Sequence, residues 1–93
     1  MRCPWPLVAV YWQDAFDAEN GWCDVPDYKP QACYVVSIGF LWPECLDGYV
    51  TITASYMPDE VPELKSVGMP THIPVAMVKH VVTLDQPEFP DLQ

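Results

Sequence analysis

The chain has 93 residues, 51% of them hydrophobic, and its 13 Asp and Glu against four Lys and Arg give a formal net charge of -9. A chain of this length supports one domain with a single modest core, so we expect residues 1–93 to fold as one unit, with an ordered part over about 7–84 and an acidic tail over 85–93. The hydrophobic content excludes a disordered acidic chain, and the negative charge disfavours direct binding to nucleic acid or to an anionic membrane because phosphate groups are repelled.

The first predicted element is a strand over residues 7–12, which are β-branched and aromatic and lie between two prolines and Asp14. A long loop over residues 14–28 follows, because this acidic stretch has turn residues and no sustained helical period. At most one turn of helix is expected in it, near residues 15–19. Loops of this length inside compact domains are uncommon and often functional.

The strongest predicted strand covers residues 32–41. Alternate side chains form one aromatic and β-branched face: Tyr34, Val36, Ile38 and Phe40. Both faces are mostly apolar, so we expect this strand to lie in the centre of a sheet. Gly39 within it indicates a bend or a bulge.

The next strand is predicted over residues 49–56, after a turn over 43–48. Its sequence alternates between apolar and polar residues, as in a strand with one face in water. The residues expected to face the core are Val50, Ile52 and Ala54, and those expected to face water are Thr51, Thr53 and Ser55.

A proline-rich connection over residues 57–70 leads to the clearest local signal of the chain. Pro74 cannot donate to a sheet ladder and holds Ile73 in an extended conformation, so a short strand over residues 71–73 should end there. A single 3-10 turn should then lead to the last strand, over residues 77–84, in which we expect Val78, Val82 and Leu84 to share a face.

Five strands without a helix of three turns predict an all-β fold. We expect a small curled five-stranded antiparallel sheet or an SH3-like or Sm-like barrel, with a short 3-10 turn before the last strand. The alternative is an open antiparallel sheet that dimerises to cover its exposed face.

The four cysteines are Cys3, Cys23, Cys33 and Cys45. The first residues lack the features of a signal peptide, and no apolar stretch is long enough for a membrane span. We therefore expect a cytoplasmic protein with reduced thiols.

No motif predicts catalysis or a bound metal. The acidic loop fails the EF-hand spacing, the cysteines and histidines lack closely spaced ligand pairs, and neither a Gly-x-Ser-x-Gly elbow nor a phosphate-binding glycine loop occurs. The sequence gives no reason to expect a catalytic residue, a metal or another cofactor, and recognition is the more plausible class of function.

The aromatic residues outnumber what one small core can enclose. We expect Trp22 and Trp42 to lie outside as anchors for a partner, because tryptophan is enriched at binding hot spots. The alternative is that both rings cover the ends of a barrel. The candidate partner-binding set comprises Asp14, Asp17, Glu19, Trp22, Asp24, Asp27 and Trp42, and its acidity favours a basic protein as partner.

Four segments carry a resemblance to a known group of proteins: Trp12-Gln13-Asp14-Ala15, Gly21-Trp22, residues 36–41 (Val-Ser-Ile-Gly-Phe-Leu) and residues 73–78 (Ile-Pro-Val-Ala-Met-Val). In this order and spacing, over residues 10–84, the chain resembles small uncharacterised proteins common in phage and prophage genomes. The resemblance implies a phage-type accessory protein and brings no activity, ligand or catalytic residue with it.

The resulting hypothesis is a non-catalytic accessory protein that binds and inhibits a basic host protein in the host cytoplasm. An alternative is an oligomer that sequesters a small molecule, such as a signalling nucleotide, and so blocks host signalling. A further alternative is a minor structural protein of the virion.

Overall fold

Runs of β-branched and aromatic residues form the strands of this chain. The computed structural model describes residues 1–15 and 21–90. Its strands are β1 (Leu7–Asp14), β2 (Cys33–Leu41), β3 (Tyr49–Thr53), β4 (Ser55–Tyr56), β5 (Val67–Gly68), β6 (Thr71–Pro74) and β7 (Val78–Leu84). Three 3-10 turns lie at Val25–Asp27, Pro58–Glu60 and Val75–Met77, and the described residues contain no α-helix.

The strands form a five-stranded antiparallel sheet in the order β6-β3-β2-β1-β7 and a separate pair, β4-β5. The all-β class, the curled five-stranded sheet and the 3-10 turn before the last strand are confirmed. The predicted stop at Pro74 is confirmed as well, since β6 ends there and Val75 begins the turn. Strands β6 and β7 are the two ends of the hydrogen-bonded order, so barrel closure is not found in the described chain.

Gly39 permits the curl of the sheet. A Cβ atom at this position would lie 2.7 Å from the carbonyl oxygen of Thr53 and 3.1 Å from the Cβ of Ile52. Only glycine accommodates a backbone this close, so β3 can pass tightly against β2. The curl brings side chains of β3 and β6 over one face of β1, and the core consists of Val8, Val10, Ile52 and Ile73.

The predicted wet face of β3 is wrong. Thr51 and Thr53 are both buried, whereas Ala54, expected inside, is exposed at a bend that separates β3 from β4. Thr51 lies opposite His72 and its hydroxyl is 2.7 Å from the His72 Nδ1, and Thr53 lies opposite Phe40. Because β3 lies between two strands in a curled sheet, its second face is covered too.

A β-bulge in β7 overturns a second expectation. Val78 pairs with Trp12 and His80 with Tyr11, so Lys79 is an extra residue in the ladder. The extra residue reverses the alternation of side chains before it. Val78 therefore packs against the core, and Val82, which pairs with Ala9, lies on the opposite face.

The two terminal segments are joined to each other. The Gln86 amide donates to the carbonyl oxygens of Trp5 (2.7 Å) and Cys3 (3.3 Å) and accepts the Cys3 N–H at 3.2 Å. The Phe89 N–H donates to the Met1 carbonyl oxygen at 3.0 Å. The C-terminal segment is thus attached as far as Phe89, and residues 91–93 of the predicted tail lie outside the described residues.

Candidate functional site

The loop after β1 is the most exposed part of the described chain. Every residue from 21 to 32 is exposed, and Trp22 and Val25 keep 90% and 88% of their surface in solvent. The described part of the loop contains one 3-10 turn, which the Asp27 N–H closes by donating to the Asp24 carbonyl oxygen at 3.0 Å; residues 16–19 of the expected helical turn lie outside the described residues. A large aromatic ring therefore lies in water, in the same loop as the carboxylates of Asp24 and Asp27.

The carboxylates of this loop are available for external contacts. Asp14, at the end of β1, accepts the Ala15 N–H at 2.8 Å, and Asp24 and Asp27 are exposed. None of the three forms an ion pair with another described residue. We call Asp14, Trp22, Asp24 and Asp27 the loop surface.

Three residues of the predicted site are not part of the loop surface. Asp17 and Glu19 lie outside the described residues. Trp42 is partly buried and stacks on Trp5, with ring centroids 5.4 Å apart and an interplanar angle of 17°, so it is not the free ring that was expected. It follows the far end of β2, about 26 Å from the end that receives the loop.

A second surface was not foreseen as a site. The register of β2, β1 and β7 places these residues on the face of the sheet opposite the core: Leu7, Ala9, Tyr11, Gln13, Tyr34, Val36, Ile38, Phe40, His80, Val82 and Leu84. Ile38 is 61% exposed, and Tyr34, Val36 and Val82 are exposed by more than half. We call this surface the open face.

An aromatic row crosses the open face. Tyr34 stacks on Tyr11 with centroids 5.5 Å apart and an interplanar angle of 7°, and Tyr11 lies against His80 at 6.1 Å and 26°. The open face carries no Asp or Glu, although the chain has 13 of them. The predicted face of β2 with Tyr34, Val36 and Ile38 is correct in its alternation, and β2 is the central strand of the five-stranded sheet, as expected.

The cysteines and a cavity near the chain ends are further features of the described residues. Burial raises the pKa of the Cys3 thiol, and none of the four cysteines forms a disulfide. Within residues 1–15 and 21–90, no three His, Cys, Asp or Glu residues are grouped in a way that could hold a metal ion. A cavity of about 380 Å³ is lined by Met1, Tyr56, Pro58, Phe89 and Pro90, and it contains no pair of titratable side chains.

A search for a membrane-spanning helix finds none in the part of the chain that is described. No protein family, no curated protein and no solved structure matches this chain.

Proposed function

We propose that this chain is a non-catalytic protein-binding module that docks its loop surface on a basic protein. The observation that carries the proposal is Trp22, which is 90% exposed in a loop whose described carboxylates have no ion-pair partner. Keeping a large aromatic side chain in water has no benefit for the fold. Tryptophan in such a position is the residue type most enriched at binding hot spots.

The aromatic ring and the carboxylates contribute differently to binding. Burying one tryptophan removes about 150–250 Å² from water, a gross gain of about 4–6 kcal/mol before the costs of association. The carboxylates attract a positively charged surface, speed the encounter and make the association sensitive to salt. Trp22 should therefore determine how long the complex lasts. The choice of partner should depend on the carboxylates of Asp14, Asp24 and Asp27.

The partner class follows from charge. Because this chain has a net charge of -9, the partner that suits it is a protein whose own ligand is negatively charged, such as a nucleic-acid-binding protein. The loop surface can occupy the basic site at which that partner binds nucleic acid. The resemblance to phage accessory proteins is the reason for proposing a bacterial host protein, inhibited in the cytoplasm of the host.

The test is affinity capture from bacterial lysate with three forms of the immobilised chain. Trp22→Ala removes the anchor, and Val25→Ala is the matched control because Val25 is 88% exposed in the same loop. We expect the wild type and V25A to retain a basic protein that W22A does not retain. Either high salt or added DNA should release this protein from the wild type. Equal retention by W22A, or capture of no protein in low salt, would contradict the proposal.

A further inference from the structure

We infer that the open face binds a second copy of this chain, so that the protein forms a two-fold symmetric dimer through β2, β1 and β7. This inference is independent of the loop surface, which lies at the end of the β1–β2 hairpin. It rests on the charge, the area and the shape of the open face.

The charge of the open face favours an identical partner. Two copies with a net charge of -9 each repel one another over most of their surfaces. The open face is a surface without carboxylates, so two copies can meet there without placing like charges in contact. A basic partner gains no ion pair on this face, and an acidic chain is repelled by nucleic acid and anionic lipid.

The area of the open face is sufficient for a specific contact. A half-exposed side chain of this size offers on the order of 100 Å², so Tyr11, Tyr34, Val36, Ile38, His80 and Val82 together offer roughly 600 Å² per copy. A dimer would bury roughly 1,200 Å² in total, at the lower end of the range for specific interfaces. An exposed apolar patch of this size is at the upper limit for a monomer. We therefore expect a dimer whose population depends on concentration.

The shape of the open face permits a contact with a second copy. Ala9 pairs with Ile38 on one side and with Val82 on the other. Its small side chain leaves a depression between these two larger residues, bounded along β1 by Leu7 and Tyr11. In a two-fold contact Ile38 of each copy can enter the depression of the other, because the same patch meets itself.

The test is the molar mass in solution, by light scattering after size exclusion, at low and high protein concentration. Val82→Lys places a charge on the open face, directly beside Ala9 of its central strand β1. Val75→Lys is the matched control, since Val75 and Val82 are both 54% exposed and Val75 lies in the 3-10 turn outside the open face. Ile38→Thr is a milder variant that keeps a β-branched residue, and circular dichroism checks the fold of each protein.

We expect the wild type and V75K to approach twice the chain mass of 10.6 kDa, about 21 kDa, at high concentration. V82K should remain at 10.6 kDa, and I38T should dissociate at a severalfold higher concentration than the wild type. Salt should strengthen the dimer, because it screens the repulsion between acidic copies, whereas it should release the partner of the loop surface. A wild type that is monomeric at every concentration, a V82K dimer, or a dimer that salt dissociates would overturn the inference.

Discussion

Gly39 lies so close to Thr53 that a Cβ atom at Gly39 would be 2.7 Å from the Thr53 carbonyl oxygen. Backbone atoms cannot move aside as a flexible side chain can, so any other residue at position 39 must push β3 away from β2. Because the core combines Val8 and Val10 with Ile52 of β3, this displacement would also open the core.

We therefore predict that Gly39→Ala destabilises the protein by about 2 kcal/mol or more, in the range of overpacking substitutions. In most strand positions the same change is neutral or favourable, because alanine loses less conformational entropy than glycine. Gly68→Ala is the control, since its Cβ would lie 3.2 Å from the Ser55 side chain and 4.0 Å from the nearest backbone oxygen, that of Ser55. Urea denaturation of the three proteins measures the difference, and a loss for G39A no larger than that for G68A would contradict this explanation of the curl.

The two buried threonines of β3 should respond in opposite directions to valine. The Thr51 hydroxyl lies 2.7 Å from His72 Nδ1, whereas the Thr53 hydroxyl has no hydrogen-bond partner among the described residues. Thr53→Val should raise the free energy of unfolding by about 1 kcal/mol, because it removes a buried unpaired polar group. Thr51→Val should lower it by a similar amount, and thermal unfolding of both variants decides the point. A loss of stability in T53V would mean that its hydroxyl is hydrogen bonded.

Acid should weaken the junction of the two chain ends. The N-terminal ammonium, which contacts the Glu88 carboxylate at 2.8 Å, holds the pKa of Glu88 below its ordinary value of 4.5, and Arg2 contributes from the other oxygen. Because the folded-state pKa is depressed, the stabilisation is present above pH 4.5 and is lost as the pH falls through the lower pKa of the folded state.

Glu88→Gln should therefore be less stable than the wild type at neutral pH and equal to it in strong acid. The measurement is the melting temperature of both proteins between neutral pH and the acid limit. Glu63→Gln is the control, because Glu63 is exposed and makes no ion pair in the described chain, so it corrects for the general benefit of removing one negative charge. A constant difference between E88Q and the wild type across this pH range would exclude the ion pair as the cause.

The thiols should differ in their reactivity. Cys23 is exposed in the loop, whereas Cys3 is buried and its pKa is raised by burial, so it holds less of the reactive thiolate. Iodoacetamide should alkylate Cys23 first and Cys3 last, as peptide mass spectrometry can follow. In denaturant the two rates should converge. Equal rates in the native protein would show that the Cys3 thiol is not buried in solution.

The sequence was sufficient to predict those features of the fold that depend on a few neighbouring residues. Pro74 lacks an amide proton and so predicted both the end of β6 and the turn after it, and the alternation in β2 predicted which residues share a face. Gly39 indicated a bend, although the reason for it, the carbonyl oxygen of Thr53, belongs to a strand that is distant in sequence.

Features that depend on contacts between strands were not predictable in this way. The bulge at Lys79 reversed the face of Val78. The threonines of β3 were expected to face water, but Thr51 lies opposite His72 and Thr53 opposite Phe40, and both threonines are buried. Ile38 is apolar and lies on the central strand, as expected, yet its burial requires a second layer, and no local pattern shows whether that layer exists. For the same reason an exposed sheet face was expected only as the alternative to a closed barrel. Trp42 stacks on Trp5, which lies far away in sequence, so its partial burial was not predictable either.

The most direct measurement is the dissociation constant of the captured basic protein for the wild type, W22A and V25A. A hot-spot tryptophan contributes at least about 2 kcal/mol, so W22A should bind about 30-fold more weakly or worse, while V25A stays within about threefold of the wild type. If W22A binds as tightly as V25A, the loop surface is not where this protein recognises its partner.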